Sequence, residues 1–390
     1  MFKRITDKKN FIQDPILEMN EQEIEKASTD KIILFDKEYR MYSDEWKHHV
    51  HIKCTDRCDA NCTFCIEKSE RNNPQNTKNL MYSTARVLLQ LAMQGHLKTV
   101  SITGGEPTVF KDIKELVNLI NSFHLTLFSI NTNGRFLKKI PTDFNGWINI
   151  SKHSIDDRDV FNRSYVVDPS NITSFKKNHP NAKVRLQCVL GVSNDMKTLE
   201  DVIEFIIKYR DCVDDFSFRN LIIEDDESHI DDLLLDLRDL MLNHGEFVEQ
   251  VIQDYYVYET YNFLGTPVTL SWSNMKKLKE YNESHDSNFL EEIIIHPDGM
   301  VTGSWNKKSL IIYNPEDRSK DSFIECKGVG CKHPCKRHIS KQTPSSIASC
   351  ATDSCGSSTI DSCGYSVSCC DSSVDSCSSL VDSCGSISSC

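Results

Sequence analysis

Between about residues 48 and 225 the chain alternates two hydrophobic rhythms. Short apolar runs read as strands: HVHIKC (49–54), TVSIT (99–103), LTLFSIN (125–131), INISK (148–152), VRLQCVLG (184–191) and DFSFRNLII (215–223). Three longer segments, STARVLLQLAMQG (83–95), DIKELVNLINSF (112–123) and LEDVIEFIIKYR (199–210), repeat apolar residues near i, i+3, i+4 and i+7, the period of a helix with one buried face. Strands separated by helical segments predict βαβ units, because parallel strands need a long crossover. Six such strands predict an α/β fold built on a partial (β/α)6 barrel, whose functional groups gather at the carboxyl ends of the strands.

The rhythm changes near residue 230. IDDLLLDLRDLMLNHGEFVEQVIQDYYVY (230–258) predicts a long helix, and EEIIIHPDGMVTGSW (291–305) predicts a β-hairpin turning at Pro-Asp-Gly. The first residues are mixed and polar, with a short helix expected over EQEIEKAS (21–28). The last fifty, 341–390, hold 18 Ser and 8 Cys, with an irregular recurrence of the tripeptide Asp-Ser-Cys. Such a segment has too little apolar area to offset the entropy of ordering it, and disorder is expected. The division is therefore an N-terminal extension (1–47), a core domain (48–250), a small α+β module (251–340) and a Ser/Cys-rich tail (341–390).

Composition narrows the class. Of 390 residues, 39% are hydrophobic and 26% charged, as in a globular protein with a sizeable core. A net charge of −12 with no basic run argues against gripping a nucleic-acid backbone. No apolar stretch approaches the roughly 18 residues of a membrane span, and the N-terminus lacks a signal peptide's apolar core, so a cytoplasmic address with no membrane partner is expected. Seventeen cysteines suit metal or redox chemistry better than disulfides at that address. They fall at 54–65, at 188 and 212, at 326–335, and in the tail.

Cys58, Cys62 and Cys65 have the spacing C-x-x-x-C-x-x-C. Zinc ribbons usually pair C-x-x-C with a second pair further on. Three thiolates crowded on one loop suit one face of an iron–sulfur cubane, with one iron left to another ligand, though zinc stays open on spacing alone. Downstream, Gly104-Gly105-Glu106-Pro107 ends a candidate strand. The glycines allow close backbone approach, Glu106 can face a cation and Pro107 fixes the turn. Cys54, Cys188 and Cys212 read as buried thiols.

Together these segments resemble the radical S-adenosylmethionine (SAM) superfamily. CDANCTFC, with Phe64 in the aromatic slot before the third cysteine, looks like its signature loop, and GGEP like the segment that binds the SAM amino group. INTNG (130–134), ISKHSID (150–156) and FRN (218–220) resemble strand ends of the molybdenum-cofactor cyclase and peptide-modifying branches, which implies cofactor or substrate contacts for Asn131, Asn133, Ser151 and Arg219. His153 departs from the Asp common in that position. The resemblance implies that Cys58, Cys62 and Cys65 hold a [4Fe–4S] cluster and that SAM chelates the fourth iron. A one-electron donor such as flavodoxin or ferredoxin would drive reductive cleavage to a 5′-deoxyadenosyl radical, which takes hydrogen from the substrate.

Cys326, Cys331 and Cys335, after the hairpin, resemble the auxiliary-cluster modules called twitch and SPASM domains, with Ser304 where a cysteine often stands. They imply a second [4Fe–4S] cluster, with a zinc site as the alternative. The expected substrate is a peptide or protein, with the tail itself a candidate. The alternatives are a nucleotide or other small molecule, or an iron–sulfur sensor without turnover.

Overall fold

In a computed structural model of the chain, the described residues are 2–15, 29–42, 49–65, 68, 77–162, 165–221, 232–253, 256–274, 288–290, 292–305 and 310–317. The expected helix at 21–28, Cys326, Cys331, Cys335 and the tail lie outside them. The chain divides into two units, 1–315 and 316–390, and every described helix and strand belongs to the first.

Strands β1 (Phe2–Ile5), β2 (Thr29–Leu34) and β3 (Lys37–Tyr42) precede six parallel strands, β4 (His49–Lys53), β5 (Thr99–Thr103), β6 (Leu127–Thr132), β7 (Trp147–Ser151), β8 (Lys183–Val189) and β9 (Asp215–Arg219). Then come β10 (Glu246–Gln253), β11 (Tyr256–Phe263), β12 (Thr266–Ser273), β13 (Phe289–Leu290), β14 (Ile293–Ile295), β15 (Val301–Thr302) and β16 (Ile311–Tyr313). Helices α1 (Leu80–Met93), α2 (Ile113–Asn121), α3 (Arg158–Phe161), α4 (Pro169–Asn178), α5 (Leu199–Tyr209) and α6 (Asp232–His244) intervene. The six parallel strands lie side by side in chain order at the centre of a 13-stranded sheet, the α/β half-barrel that the pattern predicts.

Alternation assigns the two faces of the sheet. Val50, Ile52, Val100, Ile102, Ile130, Ile148, Ile150, Val184, Leu186, Phe216 and Phe218 share one face and are buried. Phe205 of α5 meets the rings of Phe216 and Phe218 there. Each such side chain contributes about 1.5–3 kcal/mol by leaving water. The residues between them, His51, Ser101, Asn131, Asn149, Arg185 and Ser217, give the opposite face its polar character. Helix starts are fixed locally: Thr198 and Asp168 form capping boxes with Asp201 and Asn171, and Pro169 opens α4.

Both sheet edges continue past the half-barrel. On one, β12 runs parallel to β9 and carries antiparallel β11, β10 and β1. On the other, β14 runs parallel to β4 and turns through the expected hairpin into β15, with Gly299 at φ 86° in the turn. The long helix expected over 230–258 is corrected. Helix α6 stops at His244, where the Gly245 amide donates to the Met241 carbonyl at 2.8 Å, and the antiparallel strands β10 and β11 occupy 246–253 and 256–263. Along β11 burial alternates strictly from Tyr256 to Tyr261, the period of a strand. No helix among the described residues is long and apolar enough to cross a membrane.

Candidate active site at the carboxyl ends of the strands

The cysteine loop begins where β4 ends, and it is rooted on the strand beside it. Cys54 is fully buried; its amide donates to the Thr103 carbonyl at 3.0 Å and its thiol reaches the same oxygen at 3.4 Å. Burial, and then the nearby Glu106, hold that thiol well above its ordinary value. The chain at 104–106 next follows the loop backbone. Gly105 N–H donates to Thr55 O at 2.6 Å and Glu106 N–H to Arg57 O at 2.8 Å. A Cβ on Gly104 would stand 2.3 Å from the Thr55 oxygen, and one on Gly105 2.3 Å from the Arg57 oxygen. Only glycine permits this approach, and Gly104 also sits at φ 140°.

Cys58, Cys62 and Cys65 are in the thiol form, outside any disulfide, with Cys62 buried and the other two half-buried. They join one packing cluster with Ala60, Phe64, Val160 and Phe161. Phe64 turns its edge to the His153 ring at 5.2 Å, and His153 also meets Phe161 at 5.1 Å while its Nδ1 accepts from the Val189 amide at 3.0 Å. Among the described residues no three Cys, His, Asp or Glu side chains are gathered at metal-ligating spacing, so the three thiols share a packing cluster and not a preformed coordination shell. As a donor set they fit an iron–sulfur cluster: three thiols on one short loop, none of them consumed in a disulfide.

Glu106 faces inward. It is 1% exposed, and its Oε1 accepts from the Thr108 amide (3.0 Å), the Thr108 hydroxyl (2.6 Å) and the Thr132 hydroxyl (2.6 Å), while Oε2 accepts from the Asn133 amide at 2.6 Å. Pro107 opens the short turn that follows. Burial raises the Glu106 carboxyl above its ordinary value, against the lowering effect of those hydrogen bonds. Among the described residues no cation pairs with it.

Asn133 is similarly committed. Its Nδ2 donates to Asp59 at 2.8 Å, and its Oδ1 accepts from the Arg135 amide at 3.0 Å and the Tyr165 hydroxyl at 2.9 Å. Asn131 lies lower on the polar face, in a ladder in which Asn149 Nδ2 donates to Asn131 Oδ1 (2.9 Å) and Asn131 Nδ2 to Ser101 Oγ (3.1 Å). Arg185, beside Asn149, binds Asp215. Ser151 and Arg219 end β7 and β9, with Arg219 exposed. The structure thus gathers Phe64, Gly104, Gly105, Glu106 and Asn133 around the cysteine loop, with Asn131 set apart on the inner face.

Two features escape sequence reasoning. Asp59 and Arg135 join across the site at 2.9 Å, a contact between residues that carry no motif of their own. Lys152 and Asp157 form an ion pair at 3.2 Å with both side chains fully buried, bracing the turn that presents His153. A Lys-x-x-x-x-Asp spacing is too common to signal this. A cavity of about 590 Å³, lined by residues such as His124, Asp143, Trp147 and Lys183, lies at the opposite, amino end of the strands.

The family model for the Radical SAM superfamily matches residues 52–237. The chain is similar to a probable GTP 3′,8-cyclase of Sulfolobus acidocaldarius, 31% identical over 111 residues, covering 27% of this chain and 34% of that protein. It is also similar to the GTP 3′,8-cyclase of Marinobacter nauticus, 33% identical over 95 residues, covering 24% and 28%. The chain therefore spans about a third of the length of these curated relatives. Among solved structures, native anSMEcpe with bound AdoMet superimposes with a TM-score of 0.43 at 16% identity, covering 69% of this chain and 78% of that one. By its sequence match and the parallel sheet that carries the cysteine loop, the segment 52–237 is a radical SAM domain.

Proposed function

We propose that the chain is an enzyme that binds SAM beside a [4Fe–4S] cluster held by Cys58, Cys62 and Cys65, and that it takes a hydrogen atom from a small polar substrate. The observation that carries this reading is the nesting of Gly104 and Gly105 on the backbone of Thr55–Arg57, immediately before the three thiols. When bound, the cluster supplies the electron for reductive cleavage of SAM. The chain's own groups orient and enclose. Glu106, buried without a cation among the described residues, suits the SAM ammonium, and its hydrogen bonds hold Thr132 and Asn133 against the GGEP turn. Phe64 and His153 form an aromatic wall behind the cysteine loop and exclude water from it. Ser151 and Arg219, at the ends of their strands, are candidates for contacts to the SAM carboxylate, the ribose or the substrate.

For the substrate, the cyclase relatives favour a nucleotide or other small molecule over the peptide expected from the tail. The polar inner face, with its Ser101–Asn131–Asn149 ladder and Arg185, offers hydrogen bonds to such a molecule. Cys326, Cys331 and Cys335 are candidates for a second cluster, and flavodoxin or ferredoxin for the electron donor. The test is anaerobic reconstitution with SAM and dithionite. We expect 5′-deoxyadenosine, with deuterium transferred to it from a ring-labelled nucleotide such as GTP. Deuterium arriving only from a labelled tail peptide would reject the small-molecule reading, and iron counted per chain distinguishes one cluster from two.

A further inference from the structure

Asp59 follows Cys58 directly and lies within the cysteine loop, yet its carboxylate is held from outside that loop. Asn133 Nδ2 donates to Oδ1 at 2.8 Å and Arg135 Nη1 to Oδ2 at 2.9 Å. Arg135 is itself held in place. Its guanidinium lies over the Phe136 ring at 4.9 Å and the Tyr165 ring at 5.1 Å, and the Tyr165 hydroxyl closes the network by donating to Asn133 Oδ1. The Asn133 amide, in turn, is tied to Glu106. One chain of contacts thus connects the GGEP turn, the Thr-Asn-Gly turn and the first residues of the cysteine loop. On the far side of the loop, the Asn61 amide donates to the Phe161 carbonyl at 2.8 Å.

We propose that Asp59 and Arg135 are positioning residues with two tasks: they fix the cysteine loop before metal arrives, and they set the electrostatic environment in which a cluster is reduced. The inference rests on Cys58, Cys62 and Cys65 as cluster ligands. With the first residues of the loop held in advance, only the thiols have still to gather when metal binds, so part of the ordering entropy is spent in folding and not in metal binding. Reduction adds an electron, so a carboxylate one residue from a ligand opposes it and a guanidinium on that carboxylate offsets the opposition; cluster potentials respond to net charge and hydrogen bonding of this kind. Arg135 is two-fifths exposed, whereas Asp59 is mostly covered, so removing the arginine uncovers a charge without opening the core.

The pair therefore predicts shifts of opposite sign. Neutralising Asp59 as D59N leaves Arg135 in place and should raise the midpoint potential. Neutralising Arg135 as R135Q leaves Asp59 uncompensated and should lower it. The double variant should return toward the wild-type value, because the two residues are in contact and their effects are coupled. In the metal-free protein, D59A should speed amide hydrogen exchange over 58–65 at least tenfold, with the melting temperature of the whole chain nearly unchanged.

The experiment is an electron paramagnetic resonance redox titration of wild type, D59N, R135Q and the double variant after reconstitution, with iron counted per chain; D59A joins them for iron loading, and hydrogen exchange is measured on the metal-free forms. Opposite potential shifts support the proposal, as does poor iron loading in D59A at an unchanged melting temperature. Full loading with unmoved potentials, or shifts of the same sign in D59N and R135Q, overturns it. A wild-type protein that takes up no iron would instead reject the ligand assignment, so the two failures are distinguishable.

Discussion

Two glutamates among the described residues are wholly buried and accept four hydrogen bonds each, yet they are compensated in opposite ways. Glu259, on the hairpin edge of the sheet, takes both donors of a forked Arg238 (2.9 Å each), Gln250 Nε2 (2.9 Å) and the Tyr261 hydroxyl (2.8 Å). Gln250 goes on to bind the backbone of Ile12, so this carboxylate anchors the N-terminal segment to the sheet. Glu106, at the site, has only hydroxyls and amides around it among the described residues. A buried carboxylate with a counter-ion is part of the scaffold. One without a counter-ion is an electrostatic opening for a ligand that brings a positive charge. Burial alone does not tell the scaffold carboxylate from the candidate site group, and the sign of the partners is what differs between the two.

Glu259→Ala is the most damaging change expected, because it strands the Arg238 guanidinium, which is only 11% exposed. Loss of one partner from a buried pair costs about 3–5 kcal/mol, read as a lower melting temperature with the 1–15 segment newly open to proteolysis. Glu106→Gln should cost about 1–3 kcal/mol, since one amide of the new side chain opposes the Asn133 N–H and leaves donors facing each other. Its larger effect should be on binding: SAM affinity, by equilibrium dialysis on the reconstituted protein, should fall at least tenfold while iron content stays whole. Unaltered SAM affinity would place Glu106 with Glu259, as scaffold only.

The pH dependence makes the contrast finer. A carboxyl held above its ordinary value binds its proton more tightly folded than unfolded, so stability falls as pH rises through the window between the two values. For Glu106 that window opens at the ordinary glutamate value of about 4.3 and extends upward. Denaturation midpoints of wild type should therefore decline relative to E106Q as pH rises from that value, and parallel curves would refute the assignment. The smallest effect concerns the thiols. Burial pushes Cys212 up to about 11 and raises Cys54 and Cys188 as well. In the metal-free protein at neutral pH, iodoacetamide should label Cys58 and Cys65 well before those three, as followed by peptide mass spectrometry.

The six parallel strands were legible because apolar outer residues alternate with polar inner ones along them, and the cysteine and Gly-Gly segments because their distinctive residues stand close together in the chain. What the chain hid is long-range. Residues 246–253 carry enough Val, Ile and Phe to continue a helical face, and they become a strand because β10 pairs with β11 on one side and, on the other, with β1, more than two hundred residues away. The commitment of Glu106 to Thr132 and Asn133, and of Asp59 to Arg135, depends on which loops the side-by-side packing of the parallel strands brings together, and no local pattern records it. The sequence suggested a cation partner for Glu106, and its inward hydrogen bonds add a second role, tying two loops of the site together.

The central claim is that Cys58, Cys62 and Cys65, and not Cys54, hold the group that cleaves SAM. Its most direct measurement is 5′-deoxyadenosine released per chain from anaerobically reconstituted wild type, C62A and C54A with SAM and dithionite. We predict release from wild type and from C54A, and none above background from C62A. Equal release from C62A, or loss confined to C54A, would contradict the account.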